Sequence, residues 1–234
     1  TAFRAADIVL VDTDQHGDHY AELFDIDRQR FVRSFVGEDD GQFQVRPLPA
    51  RIPDQPLRVL FFGTYVPLHG IDTIIDAAIE LQDEEIDFTL IGSGGQLNEL
   101  QNRAHRSRAR IRFISDWQST AQLCEHISGA HVCLGVFGTT QKAARVIPYK
   151  VFDALAVGRP VITRDSPAIR EMLTDGETAL LCPAGDALAL ASAIRRLQAD
   201  PALAARLSDS GHAVFVAQGS PAAIGRHLLA QLED

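Results

Sequence analysis

Cysteine is scarce in this 234-residue chain, and its three copies exclude two common kinds of site. Cys124, Cys133 and Cys182 are far apart and form no CxxC pair, so neither a zinc knuckle nor a disulfide framework is indicated. Cys133 lies within the apolar run HVCLGVF and is predicted to be a small buried hydrophobic residue. This cysteine usage is typical of a reducing compartment, so we expect a cytoplasmic protein.

Long apolar runs are also missing, because none reaches the roughly 18 residues that a membrane-spanning helix needs. Positive charge is in the minority, and the formal net charge is -9. No basic face dominates, which argues against nucleic acid as a partner. The hydrophobic content of 46% is ordinary for a globular domain, and the chain is long enough to bury a sizeable core.

What the chain does contain, from residue 57 onward, is a regular alternation of short apolar runs with longer amphipathic ones. The short runs are continuously apolar, which predicts strands covered on both faces, and the helix-length connections predict parallel pairing. The fold class is therefore predicted as α/β, with a doubly wound, Rossmann-like parallel sheet. The predicted strands are residues 57–62, 86–91, 110–114, 131–136, 160–163 and 178–182.

The two ends of the chain differ from this pattern. Residues 184–233 carry no strand signal and predict two helices joined at Asp200-Pro201, then a last helix with Ser220 as N-cap and Pro221 at its first position. At the front, strands at 7–13 and 30–37 flank a helix. A polar, proline-rich linker follows before the main sheet.

The turn after the strand at 57–62 is the first candidate binding segment. It contains Gly63, Thr64, His69 and Gly70, and it leads from a buried strand into a helix. Open α/β sheets bind ligands at this edge, and helix N-termini favour anions. An ordinary strand-to-helix turn explains the segment equally well.

A second glycine-rich turn, Gly92-Ser93-Gly94-Gly95, follows the strand at 86–91. A dinucleotide-binding fingerprint needs a small residue at position 97, which is Leu97 here. We therefore interpret Gly92 and Gly94 as part of an edge loop that lets a ligand approach the backbone.

The third candidate is a cluster of positive charge in an acidic chain. Lys142 and Arg145 are predicted in a loop, Lys150 in the first turn of the next helix, and residues 138–152 contain no acidic side chain. A lysine in a first turn is unfavourable against the helix dipole unless an anion joins it. The cluster suits a diphosphate, although a solvated basic loop is the alternative. Asp153 could pair with Lys150 or accept hydrogen bonds from a ribose diol.

Several segments together resemble a known family. They include RVLFFGTYVPLHGIDTIIDAA, PYKVFDALAVGRPVIT and AIREMLTDGETALLCPAGDALALASAI, in this order. The chain resembles the C-terminal, donor-binding half of the group 1 (family 4) glycosyltransferases of GT-B architecture. Under this resemblance, residues 1–38 are a tail fragment of the N-terminal acceptor domain and 39–56 are a linker. Residues 57–216 are the nucleotide-sugar binding domain, and 217–234 are a crossover helix.

The resemblance implies retaining transfer of a hexosyl group from a nucleotide sugar, such as a UDP- or GDP-sugar, to an acceptor hydroxyl. It implies no metal and no cofactor. The acceptor would be a glycan or a lipid-linked sugar, and the full-length protein could be peripheral to a membrane. Gly63, Thr64, His69 and Gly70 would contribute to the diphosphate site.

The chain also departs from the family pattern. Many members have Arg and Lys where this sequence has Thr64 and His69, and Arg145 falls where they have the first of two glutamates. We therefore expect Lys142, Arg145 and Lys150 to bind the diphosphate. Asp153 keeps the second acidic position, so the resemblance assigns it to the ribose. Val151 and Trp117 are expected near the ribose and base.

The resemblance further implies that most of the acceptor domain is missing. We therefore expect this chain to be inactive alone, with no catalytic residue assigned in it, and its last helix to have lost a partner and to support dimerisation. Two alternatives remain open at this stage. One is a non-catalytic interaction module with a degenerate transferase fold, and the other is an enzyme related to nucleotide-sugar epimerases.

Overall fold

The computed structural model describes residues 2–52 and 54–233. The chain begins with a small front unit, in which two short parallel strands flank a helix. Its elements are α1 (Ala2–Ala5), β1 (Val9–Val11), α2 (Asp14–Phe24) and β2 (Phe31–Arg33). Val9, Val11, Ile26 and Phe31 form a separate buried cluster in this unit.

A six-stranded sheet forms the main domain, and all of its strands are parallel. The strands are β3 (Leu57–Phe62), β4 (Ile86–Ile91), β5 (Arg110–Ile114), β6 (Val132–Leu134), β7 (Val161–Arg164) and β8 (Leu180–Cys182). Their order is β5-β4-β3-β6-β7-β8, so the chain reverses its direction of winding between β3 and β6. The predicted fold class is confirmed, and this reversal creates a crevice at the carboxyl ends of β3 and β6.

Helices connect the strands and continue after the last one. They are α3 (Ile71–Glu80), α4 (Leu97–His105), α5 (Thr120–Gly129), α6 (Gln141–Ala144), α7 (Tyr149–Ala156), α8 (Ala187–Ala199), α9 (Pro201–Val214) and α10 (Pro221–Glu233). The predicted cap at Ser220 is present, because its Oγ accepts from the Ala223 amide at 3.3 Å, and Asp200 caps α9 by accepting from the Leu203 amide at 2.9 Å. Among the described residues, no helix combines the length and apolar character that crossing a membrane requires.

Alternate residues of β3 supply two hydrophobic clusters on opposite faces of the sheet. Leu57, Val59 and Phe61 pack on one face, and Leu60 and Phe62 on the other. The expectation that both faces are covered everywhere is wrong for β5. Arg110 and Arg112 in this strand are exposed, so one face of the sheet is open at this edge.

The predicted linker and last helix are both packed against the rest of the chain. Phe43 is buried in the linker, and the Arg46 amide donates to the Val157 carbonyl at 3.1 Å. In α10, Ala223 is buried and His227 Nε2 lies 3.0 Å from the Arg33 carbonyl oxygen. The last helix therefore has a partner in the front unit, contrary to our expectation. Leu229 stays exposed, and dimerisation through this helix stays a prediction that sedimentation would test.

Candidate functional site

A cavity of about 400 Å³ opens at the carboxyl end of β3, in the crevice where the winding of the sheet reverses. Its wall combines the turn after β3, the first turn of α7 and the end of β1. Polar side chains contribute from all three elements: Asp12, Thr64, His69, Tyr149, Lys150 and Asp153. The structure thus brings together residues as far apart in sequence as Asp12 and Asp153.

Lys150 is the most unusual side chain in this wall. The residue is 6% exposed, and its Nζ is buried with no hydrogen-bond partner in the described part of the chain. Nζ lies 4.2 Å from the centre of the Phe61 ring, so the ring face is the main group that stabilises the ammonium. Burial lowers the pKa of Lys150 to about 7, although the nearby Asp153 acts in the opposite direction. A buried cation without an anionic partner is costly, which marks this position as a candidate anion site.

Gly63 makes room for this lysine. Its φ angle is +136°, a conformation that residues with side chains rarely adopt. A Cβ atom at this position would lie 2.8 Å from Lys150 Nζ and 3.3 Å from His69 Cε1. The glycine therefore allows both the backbone conformation of the turn and the close approach of the two side chains.

Replacing Gly63 by alanine is expected to destabilise the fold by about 1–3 kcal/mol, because the backbone conformation is strained and Lys150 must move. Urea unfolding would measure this change. Gly95→Ala is a matched control, since a Cβ there meets no atom within 4 Å among the described residues and its φ is not positive. Equal free energies of unfolding for the two variants would contradict the packing role of Gly63.

His69 is neutral in this environment. Burial, followed by the charge of Lys150, lowers the pKa of its imidazole to about 4. Its Nδ1 is hydrogen-bonded to the Thr64 carbonyl oxygen, which can only accept, so Nδ1 carries the proton and Nε2 does not. His69 thus does not supply a second positive charge next to Lys150.

Asp153 follows Lys150 by one helical turn on α7. The residue is 6% exposed, and its Oδ1 is buried without a hydrogen-bond partner in the ranges that the structure describes. Burial and the neighbouring Glu38 carboxyl raise the pKa of Asp153 well above its usual range. Sequence reasoning missed Glu38, because it is the last residue before the linker and nothing in its local pattern indicates contact with α7.

The front unit is fixed to this site by its helix α2. Thr13, which is completely buried, donates from Oγ1 to the Arg145 carbonyl oxygen at 2.6 Å. The Glu171 carboxylate accepts from the Asp14 and Gln15 amides at 2.8 and 3.0 Å, in a favourable position at the helix N-terminus. These contacts hold Asp12 in the cavity wall, and sequence reasoning missed Asp12 because Lys150 and Asp153, which line the cavity with it, lie more than 130 residues further along the chain.

Seven of the predicted site residues do not line this cavity, and four of them are not glycines. Lys142 is exposed on α6, and Arg145 ends that helix with its Nε buried and without a partner among the described residues. Val151 is completely buried in the hydrophobic cluster under α7, which corrects the expectation that it contacts ribose or base. Trp117, 84% exposed, lies after β5 and outside the cavity wall.

Three of the predicted glycines allow neighbouring loops to pack closely against each other. A Cβ at Gly92 would overlap the Gly63 carbonyl oxygen, and one at Gly94 would overlap the Tyr65 carbonyl oxygen. Gly70 packs against the backbone of Phe137 and Gly138 in the same way. The expectation that Gly92 and Gly94 leave space for a ligand is wrong, because protein backbone fills that space.

Sequence comparisons relate this chain to known proteins. Residues 56–200, more than half of the chain, match the family model described as glycosyl transferases group 1. A phosphatidyl-myo-inositol mannosyltransferase from Mycobacterium leprae is 28% identical over 70% of this chain and 43% of the relative. The lipopolysaccharide core biosynthesis glycosyltransferase LpsE from Rhizobium meliloti is 26% identical over 95% of this chain and 63% of the relative. The chain thus spans about half the length of these two relatives.

Solved structures share the fold. The crystal structure of HepE from Anabaena in complex with UDP has a TM-score of 0.84 at 16% identity, covering 99% of this chain and 65% of that one. The C-terminal domain of the group 1 glycosyl transferase LpcC from Francisella tularensis has a TM-score of 0.66 at 17% identity. The alignment includes 79% of this chain and the whole of the LpcC domain. At these identities the likeness shows a common fold.

Proposed function

Because the chain belongs to the group 1 glycosyltransferases, we propose that its cavity binds the nucleoside diphosphate of a nucleotide-sugar donor. The observation that carries this proposal is Lys150, a buried cation without a partner among the described residues, located where the winding of the sheet reverses. Open α/β sheets bind ligands in this crevice, and a diphosphate supplies the missing negative charge.

Lys150 would hold the diphosphate together with the N-terminus of α7. The lysine side chain has a flexible stem, so its ammonium can turn from the Phe61 ring toward an entering anion. Tyr149 and Lys150, the first two residues of α7, line the same cavity, and no side chain caps this helix, so their amides would be available to an anion. The diphosphate thus gains one charge-assisted contact and the favourable end of a helix dipole.

Asp153 would bind the ribose. Its unpartnered Oδ1 can accept a hydrogen bond from a hydroxyl group, and the residue lines the same cavity as Lys150. This role agrees with the assignment from the sequence. Trp117 lies outside the cavity wall. Its proposed contact with the base therefore requires the loop after β5 to close over the ligand.

The reaction we propose is transfer of a hexosyl group to an acceptor hydroxyl with retention at the anomeric carbon. In such a transfer the developing charge is on the departing diphosphate, and Lys150 and the α7 amides would stabilise it. The relatives are named as a mannosyltransferase acting on phosphatidyl-myo-inositol and a lipopolysaccharide core transferase, which supports a lipid-linked or glycan acceptor. HepE has been crystallised with UDP, which supports UDP as the first nucleotide to test.

Isothermal titration calorimetry with UDP, GDP and their sugar nucleotides tests this proposal and identifies the base. We expect micromolar to millimolar binding by one nucleotide and much weaker binding by the other. A chain that binds none of them at millimolar concentration would contradict the proposal and favour a non-catalytic interaction module. Trp117→Ala in the same titration tests whether this residue contacts the base.

The pH dependence of binding reports on Lys150 directly. Its pKa is about 7 in the free protein and should rise when a diphosphate pairs with the ammonium. Above pH 7 the lysine must therefore take up a proton to bind, so its contribution to affinity falls by up to about tenfold per pH unit. In Lys150→Arg the guanidinium stays charged throughout this range.

The expected result is that the ratio of the UDP dissociation constants of wild type and Lys150→Arg rises between pH 7 and pH 9. Taking this ratio cancels the titration of the nucleotide itself, which both proteins share. A ratio that is constant over this range would show that Lys150 does not change its protonation on binding.

A further inference from the structure

The cavity wall contains a second carboxylate, and it comes from the front unit. Asp12 follows β1, whereas Lys150 and Asp153 lie on α7 of the main domain. The Asp12 side chain is 29% exposed, so it is accessible from the cavity. A carboxylate at this position opposes the binding of a diphosphate by like-charge repulsion, and Asp12 therefore needs a different explanation.

Asp12 is held in place by the residues around it. His16 Nδ1 donates a hydrogen bond to Asp12 Oδ1, and the His16 side chain is only 12% exposed. The His16 ring stacks on Tyr20, with ring centres 5.5 Å apart and planes inclined by 12°. Thr13, the next residue, is bonded to the Arg145 carbonyl oxygen of the main domain. Asp12 is thus oriented by a residue of the helix that follows it, α2, and its neighbour Thr13 ties it to the segment that precedes α7.

The chemistry of a carboxylate limits what it can bind. An ionised carboxylate only accepts hydrogen bonds, so a neutral ligand group that faces Asp12 must donate them. A nucleotide sugar carries hydroxyl-bearing rings at both ends of its diphosphate, the ribose and the transferred sugar. The cavity presents two carboxyl groups on separate elements, Asp12 and Asp153, together with the Lys150 amine, which matches these three parts of the ligand.

We propose that Asp12, positioned by His16, binds a hydroxyl group of the donor sugar and contributes to the choice of that sugar. This inference rests on the proposed function, because it assumes that Lys150 and Asp153 hold the nucleotide. It adds a residue of the front unit to a site that otherwise belongs to the main domain. Donor binding would then require both units, and Asp12 would discriminate between a nucleotide and its sugar conjugate.

Calorimetry on the full chain tests this role with UDP, GDP, UDP-glucose, UDP-N-acetylglucosamine and GDP-mannose. The sugar nucleotide that wild type binds most tightly, and its parent nucleoside diphosphate, are then titrated into Asp12→Asn. We expect the sugar nucleotide to bind roughly tenfold more weakly, because a hydrogen bond to a charged acceptor is lost. The nucleoside diphosphate should bind equally well or slightly more tightly, since a repulsive charge is removed.

Asp7→Asn is the matched control, because it removes the same charge from an exposed position of the same unit outside the cavity wall. It should leave both affinities unchanged. His16→Leu should weaken sugar nucleotide binding in the wild-type background but not in Asp12→Asn, because it acts through Asp12. A merely structural role of His16 would produce the same loss in both backgrounds.

The outcomes separate the two proposals. If wild type binds the nucleoside diphosphate but Asp12→Asn weakens both ligands equally, or neither, the assignment of Asp12 is wrong while the proposed function stands. If wild type binds none of the five ligands, the proposed function fails, and the role of Asp12 fails with it.

Discussion

Replacing Lys150 by methionine is expected to weaken nucleoside diphosphate binding and to make the folded chain more stable. Binding should weaken by about 2–3 kcal/mol, roughly 30- to 150-fold, because a charge-assisted contact with the phosphates is lost. The side chain is buried, and Nζ has no hydrogen-bond partner in the described ranges. A methionine of similar length fills the same space without a desolvated charge, so the free energy of unfolding should rise by about 2–4 kcal/mol at neutral pH.

The gain in stability should depend on pH in a defined direction. The unfolded lysine titrates near 10.5, and the pKa in the folded state is lowered to about 7. Below pH 7 the folded state carries the full cost of the buried ammonium, and from pH 7 to 10.5 this cost disappears as the lysine loses its proton. The stability difference between Lys150→Met and wild type should therefore be largest below pH 7 and vanish near pH 10.5.

Urea unfolding between pH 6 and pH 10, combined with calorimetry at pH 7, measures both effects. Arg206→Met is the matched control, since it removes a positive charge from an exposed position on α9. It should change neither binding nor stability by more than about 0.5 kcal/mol. If Lys150→Met lowers the stability of the chain, the ammonium must have a stabilising partner, which would contradict the anion site.

Replacing Arg159 by methionine is expected to have the largest effect on stability. Arg159 is completely buried in the turn between α7 and β7, where its guanidinium binds carbonyl oxygens. Nη2 donates to Arg46, to Pro47 at 3.0 Å and to Val157 at 3.1 Å, and Nη1 donates to Ser128 at 3.4 Å. The arginine thus ties the linker to the main domain through backbone groups that lie far from it in sequence.

Methionine retains much of the side-chain volume but donates no hydrogen bond, so four carbonyl groups lose a donor. We expect a loss of about 3–5 kcal/mol in the free energy of unfolding, because the partly buried carbonyl groups of Arg46, Pro47 and Ser128 lose this donor, whereas Val157 keeps the Arg46 amide. Urea unfolding measures it, with the same Arg206→Met control. A loss below about 1 kcal/mol would show that water replaces the guanidinium at no great cost.

Around the cavity, the sequence predicted the positions of some side chains correctly and those of others wrongly. Lys150 and Asp153 face one cavity as expected, because both lie on one short helix, three residues apart. Lys142 and Arg145 are close to Lys150 in sequence but do not line the cavity wall. They lie on and directly after α6, a separate four-residue helix, and a run of charge in the sequence does not determine the direction in which such a segment points its side chains.

Gly92 and Gly94 show a second limit of sequence reasoning. A glycine indicates that something approaches the backbone closely, but it does not identify what approaches. Here the neighbours are the carbonyl oxygens of Gly63 and Tyr65, which belong to the adjacent loop. At Gly63 the same property serves the site, because the space left by the missing side chain is used by Lys150.

The sequence by itself determined the α/β class, the positions of the main strands, the helix caps and the placement of Lys150 and Asp153 at the start of one helix. These features depend on patterns within about ten consecutive residues, such as apolar periodicity and capping, which are readable locally. Only the tertiary structure decided that Asp12 and Glu38 join the site, that Val151 is buried and that Arg145 binds Thr13 through its carbonyl. Thr13 and Arg145 are separated by 132 residues, and such contacts arise from packing between elements, for which a single sequence contains no local pattern.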